Sequence, residues 1–339
     1  ATLLNRDLTG LSHAQNQPSS SVPFHHLDNG FRNLDPDFIE GDIDFLDFLG
    51  FMGRRIGGTP PTEVPPVTEP DFAFLSQNRT KNTITWIGHS TFLIQMEGLN
   101  ILTDPVWAPR VGPMNLVGAS RWTKPALRID RLPELHGVII SHNHYDHFDV
   151  DALRAIAAQN PSATMVAPLG LREPLLELGV RTVAELDWWQ SHPMKHLTVH
   201  CEPAQHFSGR TPFDRNSTLW ASYALIGGEK KFYFAGDSGF WYGFRDLGEK
   251  FDGFDVAAVP IGAYEPQNLM RPVHMDPEEA VQAYLDLRAR FFVPIHWGTY
   301  NLSDEPFLEP PRRVEAEVAR LHLPRDNFWL MKHGETKTW

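Results

Sequence analysis

The stretch SHNHYDHFD, Ser141 to Asp149, follows the apolar run Gly137–Ile140 and leads directly into a helical pattern. A strand-to-loop junction has no structural need for so many imidazoles and carboxylates in so few positions. Without thiolate, such donors suit zinc, manganese or non-haem iron. His142 and His144 lie two apart in an extended segment, so they point the same way and can chelate one ion. Asp146 and His147, where the chain turns toward the helix, point elsewhere and can serve a second.

The same kind of ending recurs downstream. LTVHCEPAQ runs into His206, KFYFAG into Asp237 and FFVPI into His296. In α/β sheets the loops released at the carboxyl ends of strands build the site, so these distant segments can converge. The donors exceed what one tetrahedral ion takes, and a carboxylate such as Asp237 can bridge two ions about 3.5–4 Å apart. His192, His196, His200 and His333 read as ordinary core or surface residues, and His25 and His26 as part of an irregular arm without a role. The single cysteine, Cys201, excludes an internal disulfide and a cysteine-rich metal site, and reads as a small buried hydrophobe.

The surrounding pattern is α/β. TITWIGHSTFLIQMEGLNILTDPV predicts strands joined by a turn at Glu97-Gly98, and ATMVAPL, HLTVHCEP, WASYALIGGEKKFYFAGD, FDVAAVPIG, FFVPIHW and NFWLMKHGE predict further strands. DALRAIAAQ, REPLLELG and PPRRVEAEVARLHL predict helices. MDPEEAVQAYLDLRA is the clearest helix, with Asp276 as N-cap, Pro277 at the first position and Glu279 placed for a capping box. Residues 1–81 divide from 82–339. The first part is an arm, then a short amphipathic helix carrying Ile43, Leu46, Leu49 and Met52, then a proline-rich connector. Packing of that helix on the body or on a second subunit competes with contact to a membrane.

A chain of 339 residues buries a full core, and its net charge of −12 argues against nucleic acid as partner. No run is apolar enough to span a bilayer. A soluble or peripherally membrane-associated protein is expected, in the bacterial cytoplasm or periplasm. The absent initiator Met admits a removed leader. A homodimer is the commonest symmetric assembly and is the expectation here.

SHNHYDH also matches the H-x-H-x-D-H signature of the metallo-β-lactamase fold superfamily. Together with ELDWW, FAGDSG, AAVPIGAYEP, HMDPEEA, IHWGTY and LEPP, it resembles the N-acylphosphatidylethanolamine-hydrolysing phospholipase D branch and its bacterial relatives. The resemblance runs in matching order from about Thr83 to Trp339. It implies a four-layer αβ/βα sandwich preceded by an N-terminal arm. It also implies one zinc on His142, His144 and His206, another on Asp146, His147 and His296, and Asp237 bridging. Manganese or iron would suit the same donors. The loop QHFSGRTPFDRN departs from the animal enzymes beside His206, so acyl-chain and head-group preference is not carried over.

The implied reaction is phospholipase D-type hydrolysis of N-acylphosphatidylethanolamine at a membrane surface, with zinc-generated hydroxide attacking phosphorus. Asp146 would orient the nucleophile and His274 would donate a proton to the leaving oxygen. Tyr145, Tyr264, Glu265 and Gln267 are candidate substrate contacts, and Leu46 and Leu49 candidate lining for a lipid groove. Lactonase or β-lactamase-like chemistry and nucleotide phosphodiesterase activity are the alternatives on the same site. A non-catalytic lipid-binding protein is the alternative of another class.

Overall fold

The computed structural model describes residues 22–36, 38, 50, 53–55 and 58–339. The predicted amphipathic helix, with Leu46 and Leu49, lies outside the described residues.

Two sheets carry the fold. The strands, in chain order, are β1 (Thr83–Gly88), β2 (Thr91–Met96), β3 (Leu99–Thr103), β4 (Gly137–Ile139), β5 (Thr164–Pro168), β6 (Thr182–Leu186), β7 (Ser191–Met194), β8 (Leu197–Glu202), β9 (Ser222–Ile226), β10 (Lys231–Phe234), β11 (Phe254–Pro260), β12 (Ala289–Ile295) and β13 (Thr336–Thr338). The first sheet has the order β6-β5-β4-β3-β2-β1-β13 and the second β7-β8-β9-β10-β11-β12. In each, one end is antiparallel and the other parallel. β3, β4, β5 and β6 run parallel in the first sheet, and β10, β11 and β12 in the second. The main helices are α1 (Val150–Gln159), α2 (Arg172–Glu177), α3 (Gly243–Lys250), α4 (Pro277–Asp286) and α5 (Glu309–Arg320).

Side-chain alternation explains the layering. In β2, Phe92, Ile94 and Met96 join the core shared with the second sheet, whereas Leu93 packs with Leu153 and Ile156 of α1 on the opposite face. The second sheet is covered in turn by α3, α4 and α5 through Leu247, Val281 and Val314. The result is a four-layer αβ/βα sandwich. The turn after β2 places Glu97 and Gly98 at φ 49° and 82°, the left-handed pair that a tight hairpin demands. α4 carries the predicted capping box, with Asp276 accepting from the Glu279 N–H.

One predicted strand is absent. Over 327–335 the chain makes only single bridges, Phe328 to Phe292 of the second sheet and His333 to Val67, before β13 pairs with β1 of the first. The segment crosses from one sheet to the other, so it cannot ladder continuously along either.

Candidate metal centre

The carboxyl ends of strands from both sheets meet at one place. Ser141 and His142 follow β4, His206 follows β8, Asp237 follows β10 and His296 follows β12. His142, His144 and His206 form one group of donors, and Asp146, His147 and His296 fall together in another that also includes His89. In the first, His144 Nδ1 lies 2.8 Å from His142 Nε2 and 3.3 Å from His206 Nε2. In the second, His296 Nε2 is 3.2 Å and His147 Nε2 3.5 Å from Asp146 Oδ2. Asp237 Oδ2 stands between the groups, 3.0 Å from His296, 3.1 Å from His147, 3.7 Å from His206 and 4.0 Å from His142.

The ring orientations fit cation binding. The Val273 carbonyl can only accept, so His206 carries its proton on Nδ1 (2.9 Å) and presents a bare Nε2. Ser141 Oγ donates to Asp104 Oδ2 and accepts from His142 Nδ1 at 2.8 Å. Asp104 Oδ2 also takes the His147 Nδ1 proton at 2.6 Å. These outer contacts aim all three Nε2 atoms inward, as in metal sites generally. Asp237 Oδ1 is buried without a hydrogen-bond partner, which is costly unless a cation meets it.

Electrostatics agree. Burial, reinforced by neighbouring histidines, holds His142 well below the usual histidine range, and burial also lowers His144 to about 4. Both present neutral, ligating imidazoles at neutral pH. Burial acts against charge on His147 and His296 too, but at His147 the carboxylates of Asp237, Asp146 and Asp104 outweigh it. Asp237 and Asp146 do the same at His296 and hold it up to about 9. Burial would raise Asp146, yet His147 and hydrogen bonds from His147, His296 and His89 keep it well below its ordinary value.

The backbone is held tightly here. His89, Asp104 and His296 adopt φ of 56°, 32° and 60°, a region non-glycine residues rarely occupy and that concentrates at functional sites. Gly236, at φ 59°, precedes Asp237, and a Cβ there would meet the Ser141 Cβ at 2.6 Å. Only glycine lets the two strand ends approach.

Two contributors have no periodic sequence signal. His89, in the turn after β1, lies 3.0 Å from Asp146 Oδ2, and Asp104, directly after β3, orients His147 and Ser141. The polar residues ending TITWIGH and LNILTD were their only trace.

The other predicted site residues are placed as follows. His274 is buried, its ring 5.1 Å from His206 and 5.2 Å from His296. Burial lowers it to about 3, so it is neutral at neutral pH. Tyr145 is half-buried at the rim, its hydroxyl donating to the Arg210 carbonyl at 3.0 Å. Tyr264 is buried, its hydroxyl donates to Glu309 Oε1 at 2.8 Å, and the Arg313 guanidinium covers its ring. Its contacts are structural. Glu265 accepts from the Gln267 N–H, and neither lines the cavity beside His296. That cavity, about 30 Å³ between His89, Trp122, Trp297 and Tyr300, admits water and no acyl chain.

Residues 99–297 match the family model described as the beta-lactamase superfamily domain. The chain belongs to the metallo-β-lactamase superfamily. It is 41% identical over 263 residues to N-acyl-phosphatidylethanolamine-hydrolyzing phospholipase D 1 of Caenorhabditis elegans, covering 74% of each chain. Against the mitochondrial N-acyl-phosphatidylethanolamine-hydrolyzing phospholipase D of Saccharomyces cerevisiae it is 34% identical over 260 residues, 75% of this chain and 55% of that one. Among solved structures, the metallo hydrolase Igni18 of Ignicoccus hospitalis shares the fold. Its TM-score is 0.57 at 24% identity, covering 77% of this chain and 99% of that one. As a member of this superfamily the chain is a metal-dependent hydrolase, and its His/Asp clusters supply the donors for the metal. No helix among the described residues is long and apolar enough to cross a membrane.

Proposed function

We propose that the chain is a phospholipase D-type phosphodiesterase that cleaves N-acylphosphatidylethanolamine at a lipid surface into an N-acylethanolamine and phosphatidate, with two zinc ions as cofactor. The observation that carries this reading is the 41% identity over 263 residues with the Caenorhabditis elegans enzyme of that name. The two donor groups around Asp237 add the chemistry the reaction requires.

His142, His144 and His206 would hold one ion and Asp146, His147 and His296 the other, with Asp237 between them. Bound there, divalent cations supply Lewis acidity and a water that ionises near neutral pH. The chain's own groups do the rest. Asp104 and Ser141 fix the rings of His147 and His142. Asp146, kept ionised, accepts a hydrogen bond from the attacking water and aims its oxygen at phosphorus. Arg215, stacked 4.2 Å over Phe207, which packs against His144, brings positive charge to the rim for the phosphodiester. The water oxygen bonds to phosphorus, the bond from phosphorus to the ethanolamide oxygen breaks, and a proton ends on the departing alcohol.

The test is side-by-side turnover by the zinc-loaded protein of N-acylphosphatidylethanolamine vesicles, an acyl-homoserine lactone and bis-p-nitrophenyl phosphate. The lipid should show the highest kcat/KM, with activity abolished by chelator. Preference for the lactone would replace this reading with carbonyl hydrolysis. Tight lipid binding without turnover of any substrate would mark a lipid-binding protein.

A further inference from the structure

A second group of metal-ligating side chains lies apart from the centre described above. His25 and His26 come from the arm, and Asp187 from the loop between β6 and β7. His25 Nε2 is 2.7 Å from Asp187 Oδ1, and His26 Nε2 is 2.8 Å from Asp187 Oδ2. The His25 side chain is 1% exposed, Asp187 14% and His26 26%, so the cluster is closed beneath and open on one side. We propose that His25, His26 and Asp187 form a separate binding site for a zinc-like divalent cation, which staples the arm to the body.

Chain neighbours normally diverge, and these two do not. The hairpin of His26–Leu27 and Gly30–Phe31 turns the arm back, so both Nε2 atoms converge on one carboxylate. The rings stand edge to face at 4.5 Å, His25 is stacked on Trp188 at 4.5 Å, and Phe31 packs edge-on against His26. These aromatic walls restrict the imidazoles to their present directions. The Trp188 N–H donates to Asp187 Oδ1 at 2.8 Å, the kind of outer contact that orients a ligating carboxylate.

The donor set and spacing fit the ion. Two imidazoles and one carboxylate are ligands that zinc takes in open sites, leaving a fourth position for water on the exposed side. Zinc–ligand bonds of about 2.0 Å set tetrahedral ligands about 3.3 Å apart. Nitrogen–oxygen separations of 2.7–2.8 Å reach this by opening about half an ångström. The first group of the catalytic centre shows the same close gathering, at 2.8 and 3.3 Å.

The staple would have a consequence at a distance. From His25 the arm continues to Asn33, whose amide hydrogen-bonds both backbone groups of His206. An ion at His25 and His26 would anchor the near end of that clamp.

The experiment compares ions per chain by non-denaturing mass spectrometry, with zinc returned after chelation, for the full chain and for its Asp187→Asn and His26→Gln variants. The proposal predicts that each variant holds one ion fewer than the wild type. The prediction is a difference, so it does not depend on how many ions the catalytic centre takes. Zinc should also raise the Tm of the chelated wild type by more than that of either variant. His26→Gln changes a partly exposed side chain and remains measurable if Asp187→Asn fails to fold. Equal ion counts in wild type and His26→Gln would overturn the proposal, even with a lowered Tm, because a hydrogen-bonded clasp without metal predicts that pairing.

Discussion

Asn33 brackets the backbone of His206. Its Nδ2 donates to the His206 carbonyl at 2.9 Å and its Oδ1 accepts from the His206 N–H at 3.0 Å. The same Oδ1 lies 3.2 Å from the Trp220 Nε1. A residue of the arm thus sets the height at which a metal-site imidazole enters the cluster. Asn33→Ala leaves buried donor and acceptor groups unpaired, at about 1–3 kcal/mol each. The expected outcome is a lowered denaturation midpoint together with weaker zinc retention during graded chelation. A lowered midpoint with unchanged retention would confine Asn33 to stability.

Asp104 acts through His147 and Ser141. Asp104→Ala removes the acceptor that fixes the His147 Nδ1 proton, so zinc affinity or turnover should fall by on the order of 10- to 100-fold. Competition with a zinc indicator dye measures the affinity. An unchanged value would mean that packing alone orients the His147 ring.

His274 is neutral at neutral pH because burial lowers it to about 3. A general acid would instead need to hold its proton there. His274→Gln should therefore leave the alkaline limb of the pH–rate profile for kcat unmoved, even if kcat itself drops. Loss of that limb would restore the proton-donor role.

Tyr264 is a structural residue in this account. Tyr264→Phe removes the hydrogen bond to Glu309 and should cost about 1 kcal/mol of stability. kcat/KM should stay within about twofold, since RT ln 2 is roughly 0.4 kcal/mol. A large rise in KM at unchanged stability would return Tyr264 to the substrate.

The residues that were legible in the sequence share one property, a local pattern. H-x-H-x-D-H places chelating donors within one turn of chain, and His206, Asp237 and His296 each end an apolar run. The α4 cap was readable because Asp276 and Glu279 are neighbours in one capping box. What sequence could not show depends on long-range pairing. His25 meets Asp187 across 162 positions, and His89 meets Asp146 across 57. Tyr264 read as a loop contact because its partner Glu309 arrives 45 residues later, at the start of α5. The missing strand over 327–335 has the same origin, since its apolar run crosses between sheets.

The central claim is attack of water on phosphorus at the paired His/Asp groups, and isotope tracing tests it most directly. N-acylphosphatidylethanolamine vesicles are hydrolysed by the zinc-loaded protein in water enriched in oxygen-18, and both products are weighed by mass spectrometry. One labelled oxygen in phosphatidate and none in the N-acylethanolamine is the predicted result. Label in the N-acylethanolamine or in a released fatty acid would contradict it, because water would then have attacked carbon.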